Sequence, residues 1–384
     1  MMPFLNDMLD QTARERADRE ALSRENAASE DVVLSHLNSD RRLESRFQFD
    51  LEKIMAHLRS EILGQEEALA AVEDSLKVVR ADITDPRKPL FVSLFLGPTG
   101  VGKTEIIRSL ARALHGDADA FCRVDMNTLS QEHYSAAITG APPGYVGAKE
   151  GKTLFDVDKL EGARGRPGIV LFDELEKASA EVIQALLNIF DNGMLTVASG
   201  ERSYSFRNTL IFMTSNLGAK DVQRFERQKQ DTFWKSLWHK RMDRKDLVRI
   251  INDRLVETFS PEFINRIDNI TIFNWISRDL MRGLIDIETQ RLNKRLSKYR
   301  CHVELAEELI QHIAQEGFNQ QFGARSLRRA MRRYLEVPFA EFLLTEHTPS
   351  HSAETEAITY RAHWNANAVR FTSMSQKTAE SEQG

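Results

Sequence analysis

The sequence predicts an α/β protein: a layered domain built on a parallel sheet, followed by a small, mainly helical C-terminal domain that ends in a short closing hairpin. Three short apolar runs, Leu90 to Leu96, Ile169 to Phe172 and Thr209 to Met213, read as strands buried on both faces. Helical segments at Thr104 to Leu114 and Ala180 to Phe190 alternate with them, the pattern of parallel strands joined by crossover helices. From Asp279 to Leu344 the periodicity is almost wholly helical, and Ile358-Thr359-Tyr360 and Val369-Arg370-Phe371 then alternate as a hairpin does.

In chain order, residues 1–46 carry ten acidic residues and seven arginines among scattered apolar ones, the composition of a mobile charged arm. Leu51, Ile54, Met55, Leu58, Ile62 and Leu63 recur at helical spacing, Gly64 interrupts, and a second periodic stretch runs from Ala68 to Val79. Asp85-Pro86 is the turn that follows. A fourth strand, Phe121 to Val124, carries a weaker signal. The large domain is expected over 47–275, the small one over 276–372, and a disordered tail over 373–384.

Composition excludes several functions. The 52 Lys and Arg against 57 Asp and Glu give a net charge of -5, so no global basic field holds nucleic acid. Two cysteines, Cys122 and Cys301, make neither a disulfide framework nor, alone, a tetrahedral zinc site, which fits a reducing cytoplasm. The N-terminus is acidic where a secretory signal starts basic, and the longest apolar runs fall well short of the ~20 residues a membrane helix needs. Neither secretion nor membrane spanning is expected.

Between the first strand and its helix lies Gly97-Pro-Thr-Gly-Val-Gly-Lys103-Thr104, a G-x-x-x-x-G-K-[ST] phosphate loop in the context its mechanism needs. Glycines let backbone N–H groups turn around phosphate oxygens, and the helix N-terminus adds positive potential. Thr99, Gly100, Val101, Gly102, Lys103, Thr104 and Glu105 are therefore the expected nucleotide contacts. Lys103 reaches the terminal phosphates of ATP and the Thr104 hydroxyl ligates Mg²⁺. The run Gly168-Ile-Val-Leu-Phe-Asp173-Glu174 ends in two carboxylates at a strand's C-terminal edge. Asp173 is expected to hold Mg²⁺ through water, and Glu174 to orient and deprotonate the attacking water. The third strand ends in Ser215-Asn216. Its Asn216 either reaches phosphate and water or makes a local turn with Leu217-Gly218, and the residues alone leave both open.

These motifs, in this order, resemble the AAA+ ATPases, and the text between them resembles the Clp/heat-shock-100 unfoldases, most nearly the C-terminal ATPase module of ClpB. The matching residues are Ile62-Leu-Gly-Gln65, GPTGVGKTE (97–105), GAPPGYVG (140–147), DELEKA (173–178), FRNTLIFMTSNLG (206–218), PEFINRID (261–268) and FGARSLRRAM (322–331), within roughly residues 48–372. The resemblance implies that Ile62 and Leu63 wall the adenine. It implies that Arg266 is the arginine finger reaching a neighbouring subunit's γ-phosphate, and that Arg325 is the second sensor. Without it, Arg266 reads equally as a surface residue paired with Asp268, and Arg325 as one of a solvated arginine cluster. Tyr145 and Val146, on a loop flanked by Pro and Gly, match the residues that line a hexamer's axial channel and pull polypeptide through.

The sequence also departs from that family. Residues 1–46 are too short for the family's N-terminal substrate domain, first ATPase ring or middle domain, so a single-ring machine is expected, its substrates recruited by the arm, by an unshared surface or by a separate adaptor. Members that feed a peptidase carry a [LIV]-Gly-[FL] tripeptide between the sensor Asn and the finger Arg. Here Gly218 is the sole glycine from Leu217 to Asn265, and Ala219 follows it, so a Clp-type peptidase partner is not expected. The interval instead carries Phe225, Phe233, Trp234 and Trp238, with ten basic and six acidic residues over 221–254. That is a docking face or helix core, and less plausibly a single-stranded nucleic-acid surface. The pore tyrosine is followed by Ala148-Lys149 rather than a second aromatic, and Phe318-Asn-Gln-Gln stands where Tyr-Asp-Pro is common. The expected activity is an ATP-driven, homo-oligomeric and hexameric motor that threads protein substrates. The alternative is a nucleotide-gated scaffold that docks partners without threading.

Overall fold

The computed structural model describes residues 45–128, 155–163, 165–196, 203–218, 244–319, 323–346, 357–365 and 368–374, the side chains of 244–247 excepted. The arm, the Tyr145 loop, most of the 221–254 segment and the end of the tail lie outside these residues. The chain divides into two compact units, Met1–Gly97 with Lys103–Phe273 and Pro98–Gly102 with Asn274–Gly384.

In the first unit the strands are β1 (Phe91–Leu96), β2 (Cys122–Asp125), β3 (Gly168–Asp173), the short pair β4 (Met194–Thr196) and β5 (Ser203–Ser205), β6 (Thr209–Ser215) and β7 (Asn269–Ile272). Five of them form one sheet in the order β2-β3-β6-β1-β7, parallel throughout. Every residue of β3 and β6 is buried, which is why both read as unbroken apolar runs rather than alternating ones. Phe95 of β1 packs on Phe212 of β6 and on Phe273 just past β7, with ring centroids 5.5 and 5.0 Å apart. Each fully buried phenylalanine of this kind contributes roughly 1.5–3 kcal/mol.

The helices are α1 (Leu51–Glu61), α2 (Glu66–Arg80), α3 (Lys103–His115), α4 (Val157–Glu161), α5 (Ala180–Asn192), α6 (Arg244–Thr258) and α7 (Pro261–Ile264). Local chemistry sets their ends. Asp50 caps α1 by accepting from the Lys53 N–H, and the Ser179 hydroxyl caps α5 by accepting from that of Val182. Gly193 closes α5 at φ 62°, where its N–H reaches the Ile189 carbonyl. In α3 the buried residues Ile106, Ile107, Leu110, Ala111 and Leu114 make one apolar stripe, the face a crossover helix turns to its sheet.

Register decides what the sheet presents at its edge. Leu96 lies opposite Ser215, Phe172 opposite Met213 and Asp125 opposite Asp173. The C-terminal ends of β1, β6 and β3 therefore stand side by side, each followed by one of the polar motifs read from the sequence.

The second unit contains α8 (Met281–Leu296), β8 (Cys301–Leu305), α9 (Glu307–Gly317), α10 (Ala324–Met331), α11 (Val337–Thr345), β9 (Ile358–Asn365) and β10 (Ala368–Ser373). Ile285, Val303, Leu309, Ile313, Leu335 and Phe339 centre its core. The expected hairpin is β9 with β10, but a third strand corrects the expectation of an almost wholly helical stretch: β8 pairs in parallel with β9. Cys301 and Val303 are buried while His302 and Glu304 lie on the other face, a five-residue alternation too short to stand out between two helices. No helix among the described residues is long and apolar enough to cross a membrane.

Candidate nucleotide site

β1 runs into the glycine loop and the loop into α3. Gly97 has φ 136°, and a Cβ there would come within 3.1 Å of the Phe273 carbonyl, whose own N–H is bonded to Leu96 O at 2.8 Å. Only glycine fits so close an approach of two chains. Gly102, at φ 107°, has nothing within 4 Å of where a Cβ would stand. Thr99 is half-buried, as are Gly100, Thr104 and Glu105, while Val101 is buried.

Lys103 opens α3 and is only 8% exposed. Its Nζ donates to the Gly97 carbonyl at 2.5 Å and to Asn216 Oδ1 at 2.8 Å. The Asn216 amide oxygen is thus turned to the phosphate-loop lysine, its backbone N–H donates to Glu176 Oε2 at 3.3 Å, and Leu217-Gly218 make a turn after it. A buried ammonium at the head of a glycine loop and helix suits a site that receives an anion, whose charge offsets the cost of burying the cation.

Asp173 ends β3 and is 9% exposed. Both of its oxygens are engaged. Oδ1 accepts a short bond from the Thr214 hydroxyl, and Oδ2 accepts from the Arg123 guanidinium at 2.5 Å. Glu174 is half-buried in the left-handed region at φ 59°, ψ 49°, with its N–H 3.4 Å from Thr214 Oγ1. Holding a non-glycine residue there costs about 1–3 kcal/mol, and such strain collects at working sites. The turn Leu175–Lys177 fixes it, with the Lys177 N–H on the Glu174 carbonyl at 2.9 Å. A buried carboxylate near the sheet edge and a hydroxyl at the head of α3 fit Mg²⁺, which keeps most of its waters and takes few protein ligands.

The remaining expected residues fall in several places. Ile62 is buried at the end of α1, its N–H on the Leu58 carbonyl, and Leu63 is half-buried beside it. Arg266 is exposed and pairs with Asp191 of α5 at 2.9 Å, not with Asp268, the partner considered from sequence. Asp268 instead accepts from the Val92 N–H at 2.8 Å, and burial raises its carboxyl above the usual range. Arg325 is an exposed residue in the first turn of α10, within the second unit. Tyr145 and Val146 lie outside the described residues. Sequence reasoning missed Arg123 and Thr214. Thr214 carried a signal, since it ends the same apolar run that leads to Asn216, whereas Arg123 sits on the weakest strand and carried none.

Comparison with known proteins places this geometry. Residues 88–270 match a family model described as AAA domain (Cdc48 subfamily), and residues 276–355 match the C-terminal, D2-small domain of ClpB protein. An ATP-dependent protease ATP-binding subunit-like protein AmiB from Pseudomonas aeruginosa is 59% identical over 96% of this chain and 99% of its own length. The chaperone protein ClpB of Oceanobacillus iheyensis is 39% identical over 82% of this chain, which spans 37% of that protein. Among solved structures, closed-state Hsp104 with ATPγS and FITC casein superposes with a TM-score of 0.66 at 27% identity, over 84% of this chain and 52% of that one. The large and small domains thus both match, and the chain belongs to the AAA+ ATPases, in the family of ClpB and ClpC.

Proposed function

We propose that the protein is a homo-hexameric, ATP-driven remodelling motor that threads polypeptide through a central pore. The observation that carries this reading is the Lys103 to Asn216 bond beside the Asp173 carboxylate, which brings three separate sequence motifs to one sheet edge.

In this reading Lys103 donates to the terminal phosphates, while the N–H groups of Thr99 to Glu105 surround the others and Ile62 and Leu63 hold the base. Mg²⁺, held by Thr104 and through water by Asp173, would shield phosphate charge as the bond to the leaving group breaks. Glu174 orients water and takes its proton. Asn216 fixes that water or the phosphate it attacks. Arg266 acts on a neighbouring subunit's nucleotide, which its exposed position permits, and Arg325 reaches the same phosphate from the small unit.

Protein substrates are supported by the relatives. The Hsp104 structures hold casein, and the ClpB relatives are named chaperones. Tyr145 and Val146 are the residues we assign to gripping the chain, with substrates delivered by a separate adaptor. The AmiB relative is named for likeness to a protease subunit. This chain lacks the [LIV]-Gly-[FL] tripeptide between Leu217 and Asn265, and we assign it no peptidase partner. Nor do we assign it nucleic acid, given its net charge of -5.

The test is ATPase activity with and without unfolded casein, for wild type and Tyr145→Ala. A motor is stimulated by casein only when Tyr145 is present. Equal rates with and without casein in the wild type would favour the scaffold instead.

A further inference from the structure

Arg123 belongs to none of the motifs that define the nucleotide site, yet it holds the carboxylate at its centre. It stands on β2, the edge strand, two register steps before the Asp125–Asp173 pair, and its guanidinium donates to Asp173 Oδ2 at 2.5 Å. The other oxygen is taken by the Thr214 hydroxyl. The ion pair is lopsided, since the Asp173 side chain is 13% exposed and that of Arg123 is 54% exposed. The acid is fixed, whereas the base is a long side chain that solvent already reaches.

A dication approaching Asp173 meets that guanidinium on the same carboxylate. Two cations drawn to one oxygen repel each other, and the more exposed one gives way at less cost. Room for it exists. Arg123 also lines an open groove of about 720 Å³ whose walls carry Asp119, Asp156 and Asp158, the first two paired with Arg108 and Lys159, so a displaced guanidinium enters a polar groove with three acids against two other bases.

We propose that Arg123 is a positioning residue that competes with Mg²⁺ for Asp173: it neutralises and orients the carboxylate, and withdraws toward the groove as the metal-nucleotide is bound. This rests on reading Asp173 as the Mg²⁺-side acid. Arg123 thereby sets how much Mg²⁺ nucleotide binding requires, without touching nucleotide itself.

The experiment is a Mg²⁺ titration of fluorescent ATP binding, read by fluorescence anisotropy on the full chain in a Glu174→Gln background so that nothing is hydrolysed. Arg123→Gln removes the competing charge, and its half-saturating Mg²⁺ concentration is expected to fall roughly tenfold, the scale of one charge-assisted hydrogen bond. Arg123→Lys keeps the charge with fewer donors and should lie between the two. Thermal melting of each variant shows that it is folded. Asp173→Asn should raise the Mg²⁺ requirement, and adding Arg123→Gln to it should change nothing further. An unchanged or higher Mg²⁺ requirement in folded Arg123→Gln, with Asp173→Asn still shifted, overturns the proposal and leaves the Asp173 reading standing. No shift in Asp173→Asn overturns both.

Discussion

Lys103 Nζ donates to Asn216 Oδ1 at 2.8 Å, joining residues 113 positions apart, one at the head of the helix that follows β1 and the other just past the neighbouring parallel strand β6. The bond orients the lysine along the sheet edge and ties Asn216 to the phosphate loop. Lys103→Ala removes the buried charge and is expected to weaken fluorescent ATP binding by roughly 100-fold, the loss of charge-assisted bonds to phosphate. Asn216→Ala leaves the lysine in place, and should lower kcat more than it raises KM. Steady-state kinetics beside equilibrium binding separates the two.

Glu174 is held at φ 59° by the turn behind it, so its carboxylate is aimed by backbone rather than by a partner acid. Glu174→Gln keeps the shape and removes the carboxylate proposed as the base. Hydrolysis should fall by about 10²–10⁴ while ATP affinity stays near wild type. Normal turnover by that variant would remove the residue from its role.

Arg266 pairs with Asp191 on the surface, an exposed contact that contributes about 0–1 kcal/mol and is readily exchanged for a stronger anion. If it serves a neighbour, Arg266→Ala should bind nucleotide normally and hydrolyse poorly. Mixing it with Lys103→Ala subunits, which retain Arg266, should restore part of the activity. Mixed rings no faster than either variant alone would place the arginine's work within its own subunit.

Asp268 is exposed as a residue, but its carboxyl is turned to the sheet, where it accepts from the Val92 N–H, and partial desolvation there raises it above 3.8. Between its unfolded and folded values the folded state binds more protons, so its contribution to stability falls as pH rises through that window. Asp268→Asn keeps an acceptor and removes the partly desolvated charge. It is expected to raise Tm at pH 7, with the gain vanishing below the ordinary carboxylate range. Asp268→Ala leaves the N–H unpaired and should cost about 1–3 kcal/mol. Denaturant melts from pH 3 to 7 measure both.

The strands that carry the site were legible because burial on both faces leaves a continuous apolar run, as in Ile169 to Phe172, and the glycine loop because its spacing serves one geometry. β7, β8 and the β4–β5 pair escaped notice for the opposite reason: each has three to five residues and is half polar. Interactions between distant residues were least visible. Nothing in the local sequence of Arg123 marks it as a partner of Asp173, nor Asp191 as the partner of Arg266: strand order brings the first pair together, and the packing of α5 near the end of α7 the second.

The most direct measurement is affinity capture of the Glu174→Gln protein from its own cell lysate with ATP, with and without Tyr145→Ala. A motor that cannot hydrolyse should retain its substrates, and the account predicts a set of proteins that is lost when Tyr145 is replaced. The same proteins bound whether or not Tyr145 is present would contradict threading and make docking elsewhere on the ring the better description.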